Sequence, residues 1–104
     1  MAKSEVGFIV TKEYTEWIED IKKRIKSSQI KASVKVNDVV LDLYWNIGKD
    51  IVEKQETSKW GDGFLLTMSR DLKRAFPNMS GFSVQNLKSI RYWYKFYNSE
   101  ENGL

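Results

Sequence analysis

The chain has 104 residues, with 17 Lys and Arg against 14 Asp and Glu, four Trp, five Tyr and five Phe, and neither Cys nor His. That length fits one domain with one core, and the missing Cys and His exclude disulfides, thiolate or imidazole metal sites, cysteine nucleophiles and imidazole-based triads. No apolar run approaches roughly 18 residues and Met1 to Val10 lacks a leader with a cleavage site, so the expectation is a cytoplasmic, non-membrane protein that is not an enzyme.

Residues 1–10 show no clear period and read as a flexible arm or a short docking strand. From Thr11, an N-cap residue, Tyr14, Trp17, Ile18, Ile21 and Ile25 recur at steps of three and four, predicting a first amphipathic helix to about Ser28. Its other face carries Glu16, Glu19, Lys22, Lys23 and Lys26 and reads as solvated surface. A second, longer helix is predicted from about Lys31 to Gln55, about 33 to 38 Å long at helical rise. It bears two apolar stripes. One is Val36, Val40, Leu43, Ile47 and Ile51; the other is Val34, Leu41, Trp45, Gly48 and Val52. Such a helix is either central to its own domain or buries its second stripe in a homodimer. Gly48 marks a close helix approach.

Thr57 to Gly63 (TSKWGDG) reads as a connection anchored by Trp60. A third helix is predicted from Phe64 to Phe76, with Leu65, Met68, Leu72 and Phe76 on one face, ended by Pro77, which pushes the preceding residue out of the α region. After the linker Pro77 to Phe82 comes Ser83, an N-cap preceded by Phe82 as the N′ half of a hydrophobic staple. The fourth helix then runs to about Asn98, with Leu87, Ile90, Tyr94 and Tyr97 inward and Val84 at the margin. Residues 99–104 read as a frayed tail. The fold class is therefore all-α, a compact four-helix domain over residues 11–98.

Charge is unevenly placed along this chain. From Met1 to Gly61 the signs nearly balance, whereas Gly63 to Asn98 holds Arg70, Lys73, Arg74, Lys88, Arg91 and Lys95 against Asp71 alone. The helix pair 64–98, with its Gly-containing linker and capped second member, has the outline of a helix-turn-helix, although about six linking residues exceed the usual tight turn. Outward on the fourth helix lie Gln85, Lys88, Ser89, Tyr92 and Lys95, with Arg91 at the boundary. Gln pairs with adenine, Lys and Arg reach guanine, and Ser, Tyr and Lys hold phosphates. Arg70, Lys73 and Arg74 sit where the first helix of such a pair crosses the backbone. The alternatives are a solvated face that lacks acids and, for Arg74, a complement to the helix dipole. Tyr92, Trp93, Tyr94, Phe96 and Tyr97 could stack bases, but helical spacing assigns Tyr94 and Tyr97 to the core, and packing is the favoured reading of the cluster.

No catalytic or metal site emerges. Asp38, Asp42, Asp50, Glu53 and Glu56 alternate with lysines and read as paired surface charge, and Asp50 with Glu53-Lys54 lacks the spacing of a PD-(D/E)xK nuclease. Neither a phosphate-binding glycine loop nor any cofactor motif is present.

Three blocks, YWNIGKDIVEKQ (Tyr44 to Gln55), WGDGFLLTMSRDLKRAFP (Trp60 to Pro77) and GFSVQNLKSIRYWYKFY (Gly81 to Tyr97), cover about half of the chain in that order. In them the sequence resembles the N-terminal domain of the bacterial YhcG-like family, a domain of unknown function. The resemblance implies a helical DNA-binding region of helix-turn-helix or winged-helix type preceding a PD-(D/E)xK nuclease-like domain, often among restriction-modification genes. Trp60 stands where the family pattern has Tyr, which keeps the aromatic anchor. No nuclease-like domain lies within the 104 residues, so the chain is expected to be an excised or truncated DNA-targeting module for double-stranded DNA. The rival expectation is a protein-interaction or dimerisation domain without DNA contact. An antitoxin-like repressor is a third.

Overall fold

Among the described residues four helices follow one another: α1 (Lys12–Ala32), α2 (Asn37–Thr57), α3 (Gly63–Ala75) and α4 (Val84–Gly103). The computed structural model describes the backbone of residues 8–32 and 37–103 and the side chains of residues 8–28 and 41–98. No strand occurs among the described residues, and so no wing of the winged-helix type. None of the described helices is long and apolar enough to cross a membrane.

The helix starts follow from local chemistry. At α1 the Thr11 hydroxyl accepts the Tyr14 N–H at 3.2 Å, satisfying one of the orphan donors of the first turn. At α4 the Ser83 hydroxyl does the same for the Asn86 N–H at 3.1 Å. α1 runs four residues past the predicted Ser28, because Gln29 to Ala32 contains nothing that breaks a helix. Lys31 and Ala32 thus belong to α1, and α2 begins at Asn37 rather than Lys31. α4 likewise continues through the expected tail to Gly103, since neither Gly nor Pro interrupts it earlier. Leu104 and residues 1–7 of the expected arm lie outside the described residues.

Among the described residues two breaks set the path between helices. After α2 the left-handed residue is Lys59 (φ 59°) and not one of the glycines of the TSKWGDG segment. It turns the chain so that the Trp60 N–H reaches back to the Lys54 carbonyl at 3.4 Å. After α3, Phe76 leaves the helix at φ −131°, ψ 67°, as a residue before proline must, while its N–H still bonds the Leu72 carbonyl at 2.9 Å. Gly81, at φ +102°, supplies the second bend. Residues 76–83 therefore separate α3 from α4, longer than the tight turn of a standard helix-turn-helix.

The apolar stripes meet in one core: Tyr14, Ile18, Ile21 and Ile25 from α1, Leu43, Ile47 and Ile51 from α2, Phe64, Leu65, Met68 and Leu72 from α3, Phe82, and Leu87 with Ile90 from α4. α2 packs on α1 and α4, and α3 packs on the same two, so the helices close a ring around that core. Each such side chain contributes about 1.5–3 kcal/mol by leaving water. The α2–α4 pairing is the most extensive, and it uses part of the second stripe of α2. Gly48 is buried there: a Cβ on it would stand 2.9 Å from the Ile90 carbonyl oxygen and 2.9 Å from the Tyr94 Cβ. Trp45 meets Tyr94 edge-on at 4.7 Å and Trp93 at 5.3 Å between ring centroids. α4 of the same chain thus packs on Trp45 and Gly48, as the central-helix alternative has it for this part of the stripe; periodicity marks an apolar face without saying which helix meets it. Val52 is half-buried and Leu41 is 53% exposed, whereas the side chains of Val34, Val36 and Val40 lie outside the described residues.

A second aromatic nest closes the other side. Phe8 packs on Tyr14, Trp60 and Phe64 at centroid distances of 5.3, 5.4 and 5.8 Å, and Trp17 meets Trp60 at 5.3 Å. Residues 8–10 are thereby docked at Phe8 without forming a strand, and Trp60 anchors the α2–α3 connection.

Candidate nucleic-acid interface

Gln85, Lys88, Ser89, Tyr92 and Lys95 are all exposed, and their spacing of three, four and seven places them on one side of α4. From the first to the last they span about 15 Å of helix axis. No Asp or Glu occurs from Val84 to Asn98, so no carboxylate on this stretch neutralises the two lysines.

Arg91 is placed elsewhere. Its side chain is only 20% exposed, and its Nη1 donates to the Asp62 carboxylate at 2.7 Å and to Gln55 Oε1 at 2.9 Å. Gln55 in turn donates from Nε2 to the same Asp62 oxygen at 2.8 Å. Asp62 is the N-cap residue of α3, yet its side chain makes no cap bond, being given over to Arg91 and Gln55. Those two hydrogen bonds, Arg91 first, hold the Asp62 carboxyl below the usual carboxylate range, and the nearby charge of Lys88 adds a little. Arg91 is thus a clasp between the end of α2, the start of α3 and the middle of α4. Only folding brings Asp62 opposite a residue 29 positions away.

On α3, Arg70, Lys73 and Arg74 are exposed, and Lys73 with Arg74 occupies the last turn. Among the described residues no ion pair engages Arg70 or Lys73, while Arg74 approaches Asp71 at 3.9 Å. Asp71 also accepts the Tyr14 hydroxyl proton at 2.7 Å. Burial first, and then this carboxylate, push the Tyr14 phenol above its ordinary range, so it remains a donor. The single acid of the basic segment is therefore partly spent inside the fold.

The tertiary structure adds cations that the sequence pattern had assigned to mere solvated surface. Lys22, Lys23 and Lys26 of α1 line, with Glu19, an open groove against Ala75 and Phe76 at the C-terminal end of α3. Lys22 is paired with Glu19 at 3.1 Å. The spacing on α1 put these lysines on one face; nothing in it could show that the face abuts the helix end bearing Lys73 and Arg74.

Two further placements matter. Tyr94 is half-buried against Trp45, but Tyr97, read as core from helical spacing, is 50% exposed. Beyond Tyr94 no α4 residue through Asn98 is buried, because the apolar period of α4 outlasts the core it serves. Of the α2 acids read as paired surface charge, Asp50 is paired with Arg24, which also holds Asp20 of α1 at 3.0 Å, whereas Asp42, Glu53 and Glu56 enter no ion pair among the described residues. Burial raises the Asp50 carboxyl in spite of that guanidinium. No three carboxylates converge on a cation position among the described residues.

Fold and surface together define an all-helical domain whose last helix presents to solvent a basic side without acids from Val84 to Asn98. The chain belongs to the DUF1016 N-terminal domain family, whose sequence profile matches residues 20–103, in agreement with the resemblance carried by the three blocks. Neither a curated protein nor a solved structure matches the chain.

Proposed function

We propose that this domain is a non-catalytic DNA-binding module that lays the exposed side of α4 against the duplex and, in longer chains of the kind the resemblance implies, orients a nuclease-like domain. The observation that carries this reading is the exposure of Gln85, Lys88, Ser89, Tyr92 and Lys95 on one side of a helix free of acids from Val84 to Asn98. Gln85 and Lys88, nearest the helix start, are the candidates for base edges, and Ser89, Tyr92 and Lys95 for phosphates. Arg70, Lys73 and Arg74 supply further backbone contacts. Arg91, being held by Asp62 and Gln55, supports the face instead of reading bases.

With about three to five phosphates neutralised, affinity is weak and falls steeply with salt. Fluorescence anisotropy on a labelled random duplex at increasing salt tests this. Lys88→Glu with Lys95→Glu is the control pair, since Arg91→Glu would also break the Asp62 clasp. Loss of binding in the double variant, with a reduced salt slope, supports the module; binding that ignores both salt and the charge reversals sinks it.

A second reading, a protein-interaction or dimerisation domain, draws on Leu41 (53% exposed) and the uncovered Tyr92, Phe96 and Tyr97. Sedimentation at increasing concentration separates the two: a stable dimer that binds no DNA would favour the second.

A further inference from the structure

Tyr92, Phe96 and Tyr97 are 69%, 47% and 50% exposed, the largest uncovered aromatic surface among the described residues. The rings of Tyr92 and Phe96 lie 6.1 Å apart and within 21° of parallel, and Tyr97 stands edge-on to Phe96 at 5.1 Å. Pairing leaves Tyr92 mostly in water and Phe96 about half exposed. Lys88 lies one turn before Tyr92, and Lys95 sits between Tyr92 and Phe96 in sequence; both are exposed. Glu100 and Glu101 follow Phe96 and Tyr97 by one helical turn. We infer that this aromatic surface of α4 is a stacking platform for unpaired bases, so that the domain prefers single-stranded or frayed nucleic acid over a plain duplex; the inference rests on the nucleic-acid reading above.

Charge selects the occupant. A polyanion has the opposite sign to the stretch Gly63 to Glu101, which holds six Lys and Arg against Asp71, Glu100 and Glu101. The aromatic surface decides between forms of polyanion. In a duplex the base faces are stacked on one another, whereas an unpaired strand offers each π-face to an aromatic ring while its phosphates lie beside the cations. The flanking lysines hold the backbone and the rings take the bases.

The test compares a poly-dT oligonucleotide with a random duplex on the full chain, using wild type, Phe96→Leu with Tyr97→Leu, and Phe96→Tyr. Leucine keeps the surface apolar and removes the π-face, and circular dichroism checks that the helices persist. The platform predicts tighter binding of poly-dT than of duplex, a loss of about tenfold on poly-dT in the leucine pair with duplex affinity unchanged, and recovery with Phe96→Tyr. Duplex binding that depends on Lys88 and Lys95, with poly-dT no better bound and indifferent to ring loss, overturns the platform and leaves the DNA reading standing. Absence of binding to either probe overturns both. If the leucine pair instead turns a dimer into a monomer without changing poly-dT affinity, the rings belong to self-association and the inference fails.

Discussion

At Gly48 the backbone of α2 runs against that of α4 so closely that a single carbon would collide with the Ile90 carbonyl oxygen and the Tyr94 Cβ, each at 2.9 Å. Neither atom is the far end of a flexible side chain. Gly48→Ala gains up to about 1 kcal/mol of helix propensity but forces the two helices apart, an overpacking cost of about 1–3 kcal/mol. The net expectation is a destabilisation of about 1–2 kcal/mol, read as a lower urea midpoint with an unchanged slope. Stability equal to or above wild type would show that the crossing is looser than this. The sequence carried a legible signal here, since a glycine inside an otherwise good helix asks for a packing reason. It could not name α4 as the neighbour.

Each helix owes its limits to a few local groups, and these were mostly readable in advance. Thr11 and Ser83 cap as their residue types suggest, and Pro77 stops α3 within a residue of the predicted end. Ser83→Ala removes the hydroxyl from the Asn86 N–H and is expected to cost about 1 kcal/mol, seen as a lower thermal midpoint, with Ser83→Asp restoring most of it. An Ala variant as stable as wild type would mean that another acceptor takes over the first turn. What failed at this scale did so for physical reasons. A helix end without Gly or Pro is set by small propensity differences, so α1 and α4 overran their predicted stops. The apolar period of α4 marked Tyr97 as inward although the last buried residue of that helix is Ile90, since a period describes one helix and knows nothing of its neighbours' length.

The ring of four helices is fastened by contacts between residues far apart in the chain, and Arg91–Asp62–Gln55 is the clearest of them. Because the folded Asp62 carboxyl titrates below its unfolded value, the stability it adds is present above about pH 4, the unfolded pKa, and is lost as pH falls through the lower folded value. The difference in unfolding free energy between wild type and Asp62→Asn should therefore be constant above about pH 5 and shrink toward zero in stronger acid. A gap that persists or widens on acidification would place the effect of the variant outside ionisation. Asp50 works in the opposite sense: burial raises its carboxyl, so its ionisation costs stability as pH rises through the folded value. Two acids in one small domain thus pull its acid limb in opposite directions.

The sequence by itself determined the all-α class, the order of four helices, most inward stripes and the gathering of positive charge in the last third, because amphipathic period, capping chemistry and proline sterics act within a few residues. Only the tertiary structure decided which charges face outward. It turned Arg91 inward to Asp62, set Lys22, Lys23 and Lys26 beside the end of α3, packed Trp45 and Gly48 against α4, and left Tyr92, Phe96 and Tyr97 in water. Each of those outcomes depends on which helix faces which, and that is fixed by packing between residues far apart in the chain, beyond the reach of any local pattern.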